Sequence, residues 1–146
     1  MLKVGITGQS GFIGTHLYNF LNLKKDEIVT IPFKDSYFEI DNQLRNFVKD
    51  CDVIIHLAAL NRHGDPLVIY DTNIKLVKQL IKVLEETSKQ IHVLFSSSTQ
   101  EERDNLYGKS KHDGRLLFEQ WAEQNNGRFT GFVIPNVFGP FGNPFY

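Results

Sequence analysis

Tyr107 and Lys111 are the residues of this sequence best spaced to do chemistry together. Four positions apart on a helix, they share one face. A phenol is a weak acid, with a reference pKa of about 10, and a cation on the same face stabilises the phenolate and lowers that value. Such a pair suits proton transfer at an oxygen near neutral pH. Tyr-x-x-x-Lys is common by chance, but here it follows Ser96-Ser97-Ser98, where a hydroxyl at a strand end can hold an oxygen beside Tyr107.

A second chemical signal lies near the N-terminus, in Thr7-Gly8-Gln9-Ser10-Gly11-Phe12-Ile13-Gly14. An apolar run precedes it and a helical pattern follows, which is the context a dinucleotide-binding loop requires. Gly8 permits the tight turn, Gly11 lets the backbone approach a pyrophosphate, and Gly14 lets the helix pack on the sheet. The free N–H groups of the helix start then face the phosphates. A glycine turn serving packing alone is the plainer alternative, and the strand–loop–helix context weighs against it. The tip of the second strand selects between NAD and NADP, through an acid for the ribose 2′-OH or a cation for a 2′-phosphate. Lys34 and Asp35 are adjacent there. Lys34 comes first, which favours NADP (as NADPH) over NAD.

The elements that position these residues alternate. Apolar, β-rich runs at 2–7, 28–33, 53–57, 91–95 and 129–134 read as strands. Helical patterns cover 12–23, a short piece at 44–48 with Asp41 as its cap, 65–88 with Pro66 at the first position, and 107–125 closed by Gly127. Strands apolar on both faces, separated by helices, predict an α/β fold: a Rossmann-like doubly wound parallel sheet with helices on both faces. The whole chain, 1–146, reads as one NAD(P)-binding domain. Ending in a Gly/Pro-rich loop, it reads as cut before a substrate-binding half.

Composition narrows the class. A net charge of −1 argues against a nucleic-acid partner, and no apolar run approaches the ~20 residues that span a bilayer. The lone Cys51 excludes an internal disulfide and a cysteine-rich zinc site, which points to the cytoplasm. His16, His63, His92 and His112 show no metal-ligand spacing, so no metal is assigned. His56, at a strand end, reads as a packed histidine. Arg62 suits a substrate or cofactor phosphate, or a solvated loop. Asn73 suits a backbone-held water in a proton relay or a local turn cap, and the presence of Tyr107 and Lys111 favours the relay, which makes Asn73 a candidate catalytic residue.

Taken together the motifs resemble the extended short-chain dehydrogenase/reductase family of nucleotide-sugar epimerases and reductases. The likeness covers the chain, in family order: Thr7 to Gly14, His56-Leu57-Ala58-Ala59, Asn73, Phe95-Ser96-Ser97-Ser98, Tyr107-x-x-x-Lys111 and Asn136-Val137-Phe138-Gly139-Pro140. The resemblance implies that Tyr107 is the general acid/base and that Lys111 binds the nicotinamide ribose. It implies that Ser98 holds the reacting oxygen, that Leu57, Ala58 and Ala59 line the nicotinamide side, and that Asn136 begins the sugar-nucleotide contacts. Where the family's 4,6-dehydratases carry Asp-Glu, this chain has Thr99-Gln100, which cannot perform that dehydration.

Asn61-Arg62, Ser96 to Gln100, Asp104 to Lys111 and Asn143-Pro144-Phe145-Tyr146 resemble more narrowly the N-terminal reductase domain of capsular polysaccharide enzymes of the CapF/WbjC type. That likeness implies NADPH-dependent reduction of a 4-keto UDP-N-acetyl-6-deoxyhexose, with Arg62, Ser98, Thr99 and Asn136 toward substrate. It also implies a homodimer in the full-length protein and a further substrate half and cupin domain. An NAD-dependent epimerase and a non-catalytic dinucleotide sensor are the alternatives. The intact Ser98, Tyr107 and Lys111 weigh against the sensor.

Overall fold

The computed structural model describes residues 1–142, so the Asn143–Tyr146 part of the motif comparison lies outside the described residues. Strand β1 (Leu2–Thr7) leads to helix α1 (Phe12–Leu21), β2 (Ile28–Ile31), a 3-10 turn (Asp35–Glu39), α2 (Asp41–Asp50) and β3 (Val53–His56). Then follow α3 (Pro66–Glu86), β4 (His92–Ser98), a second 3-10 turn (Thr99–Glu102), α4 (Leu106–Asn125) and β5 (Arg128–Ile134). All strand pairs are parallel, in the order β2-β1-β3-β4-β5. From β1 the chain first crosses to β2 on one side, then returns to β3 on the other. The carboxyl ends of β1 and β3 therefore flank a switch point, where an open parallel sheet forms its ligand crevice.

Alternate residues of each buried strand serve two cores. Val4 and Ile6 pack with Leu21 of α1 on one face. On the other, Ile54, Val93 and Phe95 pack with Leu44, Val77, Phe118 and their neighbours on α2, α3 and α4. This is the doubly wound sheet expected from the pattern.

Differences from the expected boundaries have local causes. β2 stops before Pro32, and β4 continues beyond the apolar run because Ser96, Ser97 and Ser98 pair with Phe132, Val133 and Ile134 of β5. Asp41 does not cap α2. It is the first helical residue, and Ile40 holds the cap position without a side-chain bond. The 3-10 turn feeds straight into the helix through Ile40 N–H to Tyr37 O, and Asp41 instead complements the helix dipole. The polar start 41–43 carries no apolar signal, hence the shorter expectation. Asn126, not Gly127, takes the left-handed conformation that ends α4, at φ 50°. Gly127 is needed for closeness instead, because a Cβ there would lie 2.7 Å from the Trp121 ring. Pro66 opens α3 as expected, with the Asp65 carboxylate accepting from Leu67 N–H at 2.9 Å.

Candidate active site

A cleft of about 1040 Å³ opens at the switch point. That is the upper end of the roughly 300–1,000 Å³ usual for small-molecule sites. Its floor is the glycine loop. Gly8 has φ 72°, and a Cβ there would sit 2.8 Å from Ala58 N, so the β1 and β3 loops touch at this point. At Gly14 a Cβ would lie 2.1 Å from Gly8 O, whereas Gly11 has more room, 3.3 Å from the same oxygen. Helix α1 starts here without a side-chain cap and without an acid in its first turn. α3 and α4, by contrast, are capped by Asp65 and Asn105. The first N–H groups of α1, which lack intrahelical partners, thus meet no carboxylate from their own first turn. The loop fits the pyrophosphate of a dinucleotide.

Ser10, Gly11, Phe12, Ile13 and Gly14 line the cleft together with Gly8. Gln9 does not; its Oε1 accepts from Phe33 N–H at 3.3 Å and ties the loop to the end of β2. At that end the structure departs from the expectation built on Lys34. Lys34 is exposed in extended backbone ahead of the 3-10 turn and is not on the cleft wall, whereas Asp35 and Glu39 are. Asp35 accepts from the Ser10 hydroxyl at 3.2 Å.

The other end of the cleft gathers Ser98, Tyr107 and Lys111, with Leu57, Ala58 and Ala59 beside them. Lys111 is 4% exposed. Its Nζ donates to Ser96 O at 2.9 Å and stands 5.9 Å from the centre of the Tyr107 ring. Burial pushes the Lys111 ammonium down to about 8. Ser98 Oγ accepts from Gln100 N–H at 3.1 Å, which leaves its O–H to donate. The first turn of α4 seats on the second 3-10 turn. Asn105 Oδ1 accepts from Gly108 N–H at 2.7 Å, Asn105 Nδ2 donates to Gln100 Oε1 at 3.3 Å, and a Cβ on Gly108 would fall 1.9 Å from Gln100 O.

Arg62 and Asn136 line the cleft, as expected of substrate-side residues. Thr99 and Asn73 do not. Thr99 is exposed at the start of the 3-10 turn, and its neighbour Gln100 reaches the wall instead. Asn73 is 4% exposed, and its side chain acts as a brace. Its Oδ1 accepts from Leu60 N–H at 2.6 Å, and its Nδ2 donates to Leu60 O and to Ser110 Oγ at 3.1 and 3.0 Å. Both amide hydrogens are engaged, so it clamps the loop after β3 to α4. Lys75 and Gln79 of α3, with no sequence signal beyond a helical face, also reach the wall. No group of three His, Cys, Asp or Glu residues able to hold a metal occurs among the described residues.

The family model of the NAD dependent epimerase/dehydratase family matches residues 4–146. The chain belongs to this family. It is 32% identical over 145 residues to a UDP-2-acetamido-2,6-beta-L-arabino-hexul-4-ose reductase of Pseudomonas aeruginosa, covering 99% of this chain and 38% of that protein. CapF, a capsular polysaccharide assembling protein of Staphylococcus aureus, superposes with a TM-score of 0.73 at 29% identity over 99% of this chain and 37% of CapF. RMD of Pseudomonas aeruginosa, solved with NADPH, shares the fold at a TM-score of 0.87 and 22% identity, over 100% of this chain and 58% of RMD. The chain therefore spans well under half of the reductase and of CapF.

In this epimerase/dehydratase family member, His56 belongs to the frame under the cleft. Its ring lies against Phe38, Phe95 and Phe118, with centroids 6.3, 5.9 and 5.7 Å away. Nδ1 shares a 2.7 Å hydrogen bond with Thr7 Oγ1, which also accepts from Ala58 N–H at 3.3 Å. Nε2 has no hydrogen-bond partner among the described residues, so the histidine is packed but only half satisfied. Burial, helped by the Lys111 charge, pushes it down to about 3. The unfolded histidine protonates near its ordinary value of about 6.5. Below that value the unfolded state binds the extra proton first, and stability falls as pH drops from about 6.5 toward 3. His56→Gln, neutral throughout, is expected to flatten this part of the stability–pH curve. Urea unfolding of both proteins at several pH values checks it; parallel curves would assign the acid loss to other groups.

Proposed function

We propose that the chain forms the dinucleotide-binding and proton-transfer part of an NADPH-dependent reductase of a nucleotide sugar, acting on the 4-keto group of a UDP-N-acetyl-6-deoxyhexose. The observation that carries this reading is the placement of Ser98, Tyr107 and Lys111 at one end of a cleft whose other end is the uncapped α1 and its glycine loop. The 32% identical reductase supports the substrate class, and RMD, solved with NADPH, supports the cofactor. We place the enzyme in the cytoplasm on its lone Cys51, as a homodimer in its full-length form. No helix among the described residues is long and apolar enough to cross a membrane.

The loop from Gly8 to Gly14 would hold the pyrophosphate, and Lys111 would hold the nicotinamide ribose. Bound NADPH supplies a hydride for the carbonyl carbon. The Ser98 hydroxyl donates to the carbonyl oxygen and holds it in place. Tyr107 gives its proton to that oxygen as charge builds there, and the Lys111 ammonium lowers the cost of the phenolate left behind. Arg62 and Asn136 face the nucleotide-sugar side.

The direct test follows loss of reduced-nicotinamide absorbance when the purified protein is given NADPH and a 4-keto UDP-sugar. Consumption of NADPH with formation of the 4-hydroxy sugar is the expected result; binding of NADPH without turnover would turn the reading toward a sensor. One observation favours a second reading, an NAD-dependent epimerase. Asp35, not Lys34, stands on the cleft wall, where an acid suits a ribose 2′-OH. Calorimetric titration separates the two: tighter binding of NADPH supports the reductase, and tighter binding of NADH supports the epimerase.

A further inference from the structure

Glu101 and Arg115 form the most constrained charged cluster outside the cleft. Glu101 lies in the 3-10 turn that begins just after Ser98, and Arg115 lies two turns beyond Tyr107 on α4. Arg115 Nε and Nη2 donate to the two Glu101 oxygens at 2.9 and 3.1 Å. The side chains are only 25% and 10% exposed. Ser97 Oγ donates to Glu101 as well, and Arg115 Nη1 donates to Glu119 at 2.8 Å. The Arg115 stem runs over β5, where a Cβ on Gly131 would come within 3.2 Å of Arg115 Cδ. Burial alone would raise the Glu101 carboxyl, yet the hydrogen bonds from Arg115 and Ser97 hold it below its ordinary range.

Neither residue lines the cleft. A two-pronged pair of this kind fixes orientation as well as distance, and it spans the segment that joins Ser98 to Tyr107. The segment is also held by the Gln100 N–H bond to Ser98, by the Gly108–Gln100 seat and by the Asn105 cap. Glu101 adds a side-chain attachment to α4 at the Ser98 end, because Ser97 itself donates to it.

We infer that Arg115 and Glu101 are positioning residues, whose ion pair sets the placement of the Ser98 hydroxyl relative to the Tyr107 hydroxyl. The inference rests on the reductase reading for the roles of Ser98 and Tyr107, and it adds the pair that holds them in register. Removing one partner of a pair this enclosed also costs some stability. The expected signature is therefore a loss of turnover in protein that remains folded.

The test compares wild type with Arg115→Met, Arg115→Lys, Glu101→Gln and the Glu101→Gln/Arg115→Met double variant. Arg115→Met is expected to lower kcat by about 10- to 100-fold, the scale of a small misplacement of a reacting group. NADPH affinity should stay unchanged. Arg115→Lys should recover part of the loss, because a point charge replaces the fork. The double variant should lose no more than the worse single one, since both remove the same interaction. Amide exchange of residues 99–105 should rise in Arg115→Met and in Glu101→Gln. Wild-type kcat in well-folded Arg115→Met, additive losses in the double variant, or unchanged exchange at 99–105 would each overturn the inference. If Arg115→Met does not fold, Arg115→Lys and Glu101→Gln carry the same comparison. Failure of wild type to consume NADPH with a 4-keto UDP-sugar would instead count against the reductase reading. The exchange measurement would still decide whether the pair holds the segment.

Discussion

Tyr107→Phe is expected to lower kcat about a thousandfold, within the range usual for loss of a general acid, with NADPH affinity unchanged. In the proposed mechanism the phenol contributes one proton, and the glycine loop proposed to hold the dinucleotide phosphates lines the cleft through other residues. Phenylalanine keeps the ring, and so keeps its contact with the Lys111 side chain. The Gly108–Gln100 seat and the Asn105 cap are formed by other residues, so the start of α4 stays in place. Single-turnover NADPH oxidation with saturating 4-keto UDP-sugar measures the loss, and fluorescence titration with NADPH measures binding. A variant that turns over within a few-fold of wild type would remove Tyr107 from the mechanism. The acid would then have to come from another group on the cleft wall.

Gly14→Ala is expected to act at the opposite end and on both binding and folding. The added methyl would lie 2.1 Å from Gly8 O and 2.9 Å from Gln9 Cα. Both are backbone atoms, so relief requires moving either α1 or the loop that holds the phosphates. Overpacking of this kind costs about 1–3 kcal/mol of stability, and loss of one loop hydrogen bond to a charged phosphate should weaken NADPH by about 10- to 100-fold. Gly64→Ala is the matching control, since nothing lies within 4 Å of its added Cβ; it should leave both quantities as they are. Chemical denaturation and NADPH titration of the three proteins test this. Wild-type NADPH affinity in Gly14→Ala would mean that the loop is not where the pyrophosphate sits.

Much of the fold was legible because burial on both faces of a strand leaves a continuous apolar run, as at Val53–His56, and because glycine and proline punctuate the chain. The start of α2 was not legible: Asp41, Asn42 and Gln43 are helical through backbone continuity with the preceding turn, and nothing in their side chains announces it. The glycine loop and the Tyr107–Lys111 pair could be read from spacing, since one turn of helix converts a separation of four into a shared face. Lys34 could not be weighed against Asp35 in the same way. Lys34 is extended while Asp35 already begins the 3-10 turn, so adjacency in sequence says little about which one meets the cleft. Asn73 shows another limit. Its partner, Leu60, is a backbone group thirteen residues away, reached only because α3 folds back beside the loop after β3. Glu101 and Arg115 carry no spacing or motif signal, and only the turn after Ser98 brings them together.

The seat of Gly108 on the Gln100 carbonyl also bears on how such a protein can diversify. With those groups already at the limit of approach, the stretch between Ser98 and Tyr107 has no slack to absorb an insertion without moving the acid away from its partner hydroxyl. The loop around Gly64 has open space about it, and exposed loop tips are where added residues are tolerated. Length changes should therefore accumulate around Gly64, beyond the clamped Leu60, while the segment 99–105 keeps its length and varies only in side chains.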